Sequence, residues 1–215
     1  MDIFAQGLCF YKLFGVFVTG AFWGDVIETL FCRLKGGTWI NRSSFLYGQF
    51  SVVWGFAFVL ATLLFYNIAD YPVSVIYIAG VLIGGIYEYG CSLITEKVLG
   101  TTFWDYSSMR FQIQGRVNLL YCQFWGLATV MWTKDVFPIL ESMIEKIPVK
   151  AGETLSNLLL ILLLIDAAIS AIAIKRYAQR RQGKVANTRF WKRMDEVYPD
   201  KRMEKRYPVM KVCQS

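Results

Sequence analysis

The chain of 215 residues is 55% apolar and only 18% charged, with a mean hydropathy of +0.40, a balance that excludes an ordinary soluble domain. It contains no histidine, so histidine triads, histidine metal sites and histidine pH switches are excluded together. Residues 175–215 carry 13 basic and 4 acidic side chains while the preceding 174 carry 10 and 12, so the net charge of +7 belongs to one terminus and not to the whole surface.

Five apolar stretches, at about 10–31, 48–66, 73–94, 117–133 and 155–174, approach the roughly 20 residues that a membrane-spanning helix needs. The predicted fold class is therefore all-α: a polytopic bundle of about five transmembrane helices over residues 1–174, followed by a basic tail at 175–215. The first stretch lacks a basic start and a small-residue cleavage site and keeps Asp25 and Glu28 near its end, so it reads as a span and not as a signal peptide. The KRYAQRR run directly after the fifth stretch places the C-terminus in the cytoplasm and, with five spans, the N-terminus outside. Loops 32–47 and 95–116 then face inward with Arg33, Lys35, Arg42, Lys97, Arg110 and Arg116, while the outer loop at 134–154 holds three lysines against the trend. Within it, Val136, Ile139, Leu140, Met143, Ile144 and Ile147 recur at helical spacing, predicting an amphipathic helix along the outer interface or a cap over the bundle.

Sliding the chain over itself by 64 positions pairs Gly20 with Gly84, Gly36 with Gly100, Thr38 with Thr102, Asn41 with Asp105 and Ser43-Ser44 with Ser107-Ser108; seven inserted residues later, Trp54-Gly55 meets Trp125-Gly126. Each unit crosses twice, so two copies share one topology, giving two tandem parallel helix-loop-helix repeats. Gly20-x-x-x-Gly24 and Gly80-x-x-x-Gly84 put small residues on one helix face for close packing, first within the chain and second between copies.

Four acids interrupt the apolar stretches: Asp25, Glu28, Glu88 and Asp166. With about 1.5 Å rise per residue, Glu88 stands about 9 Å and Asp166 about 12 Å from the inner ends of their helices, depths at which a carboxylate needs a partner or water. The arginines placed to neutralise them are Arg42, Arg110 and Arg116, and the expected polar cavity is built from Glu28, Arg42, Glu88, Asp105, Arg110 and Arg116, with Asp25, Asn41, Asn118 and Asp166 as further candidates. No nucleophile and base stand together, and the cysteines Cys9, Cys32, Cys91, Cys122 and Cys213 occur singly. Neither a catalytic residue, a metal site nor a cofactor is predicted.

Asn41-Arg42-x-x-Phe45-Leu46-x-Gly48 leading to Trp54-Gly55, then Glu88, then Trp104-Asp105-Tyr106-Ser107 through Gly115-Arg116 to Trp125-Gly126, resembles the ABC-transporter permease family of the CmpB-like kind, small bacterial membrane proteins, over residues 10–133. The family's N-R-G-F-L-x-G-P run is replaced here by Asn41-Arg42-Ser43-Ser44-Phe45-Leu46-Tyr47-Gly48-Gln49, so the loop proline is absent and the second helix has a smoother entry. The resemblance implies a transport-related permease subunit. No G-x-x-x-x-G-K-[ST] phosphate loop occurs, so any ATPase is a separate partner chain. A homo-oligomer is expected because five helices make a small enclosure. The tail is expected to bind anionic lipid head groups through an amphipathic stretch at 175–194, and not nucleic acid. Two alternatives use the same residues: a non-transporting membrane scaffold and an intramembrane lipid-acting enzyme.

Overall fold

A computed structural model describes residues 3–213. It is 70% helical, and the strands among the described residues are two antiparallel pairs of two residues each. The helices are α1 (Phe10–Gly36), α2 (Val52–Phe65), α3 (Val73–Leu99), α4 (Leu119–Met131), α5 (Phe137–Glu145), α6 (Val149–Arg181), α7 (Arg189–Val197) and α8 (Asp200–Arg206). Three of them, α1, α3 and α6, are long and apolar enough to cross a membrane, and the apolar helix that begins with α2 reaches 17 residues at Ile68. Many of their large side chains, Ile78, Leu82, Ile86, Leu158 and Leu162 among them, are exposed, as a lipid-facing surface requires.

The helices end where the sequence stops supplying compatible backbone. Gly37 and Gly100 take left-handed conformations at φ 70° and 71° and return their N–H groups to Arg33 and Glu96, closing α1 and α3 alike. The Ser51 hydroxyl accepts from the Trp54 amide, and the Asn118 side chain from the Leu120 amide, at the starts of α2 and α4. Pro72 and Pro148 precede α3 and α6, positions where a missing N–H costs nothing.

Two antiparallel pairs dominate the packing, α1 on α2 and α3 on α4. A Cβ on Gly24 would lie 2.3 Å from the Trp54 Cβ, and one on Gly84 would lie 2.3 Å from the Trp125 Cβ. Gly20 and Gly80 are likewise filled by Phe58 and Thr129. The small-residue faces are thus occupied within the chain.

The amphipathic segment after the fourth stretch is not a separate interfacial helix. The backbone stays helical through a π turn at Trp132–Val136 and runs on into α5. Phe137 and Ile144 are buried there while Ile139 and Met143 are exposed. The Lys12 ammonium, 0% exposed, lies 2.9 Å from Glu141 Oε1 and 2.6 Å from Glu145 Oε1, which ties α5 to the start of α1. An isolated buried ammonium would be untenable, and two carboxylates one turn apart supply its partners.

At the opposite end, where loops 37–51 and 100–118 lie, α6 continues about two turns past its apolar run, to Arg181, without a break at 174. The expected amphipathic helix over 175–194 is interrupted: α6 ends at Arg181, Gly183 adopts φ 79°, and the chain turns back into α7. Leu46, Ala173, Ile174, Tyr177, Tyr198, Met203 and Tyr207 form one buried core shared by loop, α6 and tail. Arg176 makes two 2.8 Å hydrogen bonds to Asp195, and Arg180 reaches Asp195 at 2.6 Å and Asp200 at 2.7 Å. β4 (Lys211–Val212) pairs antiparallel with β1 (Thr101–Thr102), and β2 (Gln112–Ile113) with β3 (Val117–Asn118).

Two outcomes follow from this packing. Gly84→Ala and Gly24→Ala should each lose about 1–3 kcal/mol by overpacking, read as a lower unfolding temperature in detergent, whereas Gly90→Ala, with nothing within 4 Å of its added Cβ, should be neutral or slightly stabilising. Arg176, followed by Arg180, holds the Asp195 carboxyl below the usual carboxylate range despite an opposing desolvation. Because the folded value is depressed, this contribution to tail docking is complete above the ordinary carboxylate value of about 3.9 and fades as pH falls through the lowered one. Hydrogen exchange in α7, corrected for intrinsic rates, should accelerate only in that acid window.

Candidate functional site

Each helix pair builds one carboxylate site at the loop end. On α1, Gly24 and Glu28 are one turn apart on one face. The close approach of Trp54 to Gly24 carries its indole N–H to Glu28 Oε2 at 2.8 Å. Arg42, from the following loop, completes the site with Nε and Nη2 at 2.7 and 2.6 Å from Glu28 Oε1, and its Nη1 reaches the Phe103 carbonyl in the other loop. On α3, Gly84 and Glu88 repeat the arrangement: Trp125 Nε1 donates to Glu88 Oε2 at 3.0 Å and the Tyr106 hydroxyl to Oε1 at 2.7 Å.

The two sites meet through their tryptophans, whose ring centroids are 4.9 Å apart. The Tyr87 ring packs edge-on against Trp125, and its hydroxyl donates to the Val53 carbonyl at 2.6 Å. The sites differ in charge. Glu28 is neutralised by a guanidinium; among the described residues, Glu88, 7% exposed, receives only the neutral donors Tyr106 and Trp125.

The expected six-residue cavity is therefore divided. Glu28 and Arg42 come together, and Glu88 stands beside them across the two indoles, which are tilted 34° to each other. Arg116 turns away to Glu96 and to the Ser92 hydroxyl on the last turns of α3. Arg110 is exposed and contributes its backbone carbonyl to the Asn118 side chain. Asp105 accepts from the Ser107 amide and hydroxyl and from Lys211, and Ser107, followed by Lys211, holds its carboxyl well below the usual range. Asn41 accepts from the Ser43 amide at 2.9 Å, the same two-residue turn that Asp105 makes with Ser107.

Asp25 and Asp166 hold the first loop. Gln49 donates to Asp25 Oδ2 at 2.7 Å. Asp166 accepts the amides of Tyr47 and Gly48 and the Ser170 hydroxyl, and Ser170 in turn accepts the Leu46 amide. Around them, Arg206 donates to the carbonyls of Phe45 and Gly48 at 2.7 and 2.6 Å. Asp166 therefore faces into the protein. The residues missed on reading the sequence are Lys12, Glu96, Gln49 and Arg206; Lys12 is a base at the start of the first apolar stretch, against the expectation that this stretch lacks one, and its partners Glu141 and Glu145 come from a distant helix.

Long apolar helices with a lipid-facing surface and buried carboxylates define a multi-pass helical membrane protein. A family model described as "Putative ABC-transporter type IV" matches residues 15–171, and the chain belongs to that family. The match extends past the loops and through most of α6, beyond the 10–133 on which the resemblance was drawn. No curated protein and no solved structure matches the chain.

Arg42→Ala should destabilise the protein more than Arg110→Ala, because the first leaves Glu28 with a single donor and the second removes an exposed side chain. Trp125→Phe, which strips an indole donor from Glu88, should cost about 1–3 kcal/mol. Thermal unfolding in one detergent ranks all three.

Proposed function

We propose that the chain is the membrane-spanning subunit of an ABC-type transporter whose ATPase is a separate protein. Five crossings are made by α1, α2, α3, the continuous α4–α5 helix and α6, and two tandem helix-loop-helix units, α1–α2 and α3–α4, are inserted in the same sense. The basic excess after α6 puts the tail and both loops on the cytoplasmic side and the N-terminus outside. The observation that carries this reading is the duplicated carboxylate–indole site, Glu28 with Trp54 and Glu88 with Trp125.

The contacts favour a register of 60 in the first helix of each unit, pairing Gly20, Gly24 and Glu28 with Gly80, Gly84 and Glu88, in place of the 64 that aligns the loops at Asn41 and Asp105. Glu88 then works as the charge-bearing group of the cytoplasmic half, with Glu28, Arg42 and Tyr106 around it. The loops at Arg42 and Asp105 and the tail that bridges them form the surface for the ATPase, and exposed Arg189, Phe190, Lys192 and Arg193 on α7 meet anionic lipid head groups.

Transport driven by ATP in inverted membrane vesicles tests this. Glu88→Gln keeps the shape of the side chain and should lower uptake at least about tenfold, a barrier change of about 1.4 kcal/mol, with little change in unfolding temperature; undiminished uptake removes Glu88 from the mechanism. A second reading, a non-transporting scaffold, is favoured by the mutual satisfaction of the polar groups. It prevails if Glu88→Gln lowers stability and no solute moves in either protein.

A further inference from the structure

Two cavities lie in line along the seam between α2 and the α4–α5 helix. The larger, about 130 Å³, is lined by Thr62, Tyr66, Trp132, Thr133 and Glu141 at the end away from the loops. The smaller, about 20 Å³, is bounded by Ala57, Ala128, Trp54 and Trp125. Ala61 and Trp132 line both, so the two cavities are neighbours. Trp54 and Trp125 close the line, and their far edges are bonded to Glu28 and Glu88.

The lining is aromatic and small, and its ends are acidic. Lys12 offsets one of Glu141 and Glu145, leaving a formal charge of −1 beside the larger cavity. At the other end Arg42 offsets Glu28, while Glu88 is bonded to the neutral donors Tyr106 and Trp125. Among the described residues, no lysine or arginine lines either cavity; Lys134 is turned to the carbonyls of Ala69 and Tyr71. Thr133, 6% exposed, is among the residues lining the larger cavity, and its buried hydroxyl has no hydrogen-bond partner among the described residues. Aromatic faces with nearby carboxylates attract cations whose charge is spread over alkyl groups. A cavity of about 150 Å³ holds a benzene-sized guest, so a ligand of tetramethylammonium size is matched in volume.

We propose that this seam binds a small organic cation of the alkylammonium class, entering beside Glu141 and passing the adjoining indoles of Trp54 and Trp125 toward Glu88. The substrate class rests on the permease reading above; the binding site does not. Binding is measured on the full chain in lipid nanodiscs, by tryptophan fluorescence during titration with tetramethylammonium chloride against sodium chloride and the uncharged, similarly sized tert-butanol. Saturable quenching by tetramethylammonium alone is expected, at least about tenfold weaker in Glu141→Gln, which removes the local charge while Glu145 keeps Lys12 paired, and abolished in Ala61→Phe, which fills both cavities. Equal binding of tert-butanol, absence of saturation, or undiminished binding in folded Ala61→Phe overturns the proposal. Should Ala61→Phe fail to fold, Glu141→Gln decides alone. ATP-driven uptake of an uncharged solute without tetramethylammonium binding would sink this inference and leave the permease intact; binding without any transport would do the reverse.

Discussion

An indole N–H delivered to a carboxylate inside an apolar helix pair is the constraint on which the rest of the structure depends. A tryptophan is too large to sit between two helices at ordinary side-chain spacing. Gly24 and Gly84 remove the obstruction, and each indole then reaches the acid one turn farther along the same face. Shape and charge are thus linked: the glycine admits the ring, the ring supplies the donor, and the donor makes a buried acid tolerable. Because both tryptophans project from the same seam, satisfying the two acids also stacks the two helix pairs against each other.

The polar loops are ordered by the same need to satisfy buried groups. Ser43 accepts amides from Phe45 and Phe50 and donates to the Gly48 carbonyl, while Asp166 takes the amides of Tyr47 and Gly48 and Arg206 donates to the carbonyls of Phe45 and Gly48. Much of the basic charge in the tail is therefore engaged in local structure. Arg176, Arg180 and Arg206 hold acids or carbonyls, and Arg202 stacks on Tyr198 and Tyr47. What remains on the surface is spread over α7 and its approach, with Lys184, Arg189 and Lys192, and over α8, with Lys201 and Lys205.

The apolar helices and their buried acids were legible in the sequence because an ionisable residue in a long apolar run is conspicuous in one dimension. Gly24 and Gly84 were legible too, as small residues at helical spacing. Partner choice was not. Arg116 was expected near Glu88, yet β3 and the start of α4 set it over the last turns of α3, where Glu96 lies. The bonding of Glu88 to Tyr106 depends on how the second loop folds back, which no local spacing encodes. The continuity of α4 with α5 was hidden for a different reason: polar Thr133, Lys134 and Asp135 resemble a loop, but a π turn absorbs them without breaking the helix. The tail offered charge density to read, and charge density alone does not reveal that tyrosines and Met203 will build a core with Leu46.

The pairing of β4 with β1 joins residue 212 to residue 101. During translation, strand 101–102 leaves the ribosome long before its partner exists, and at roughly 5–20 residues per second the interval lasts several seconds. Through that time the second loop must persist with an open edge, and the first loop must wait for Arg206. Both helix pairs are synthesised before either loop can be locked, so the fastening of the two halves is a late event in biogenesis, made by α8 and β4.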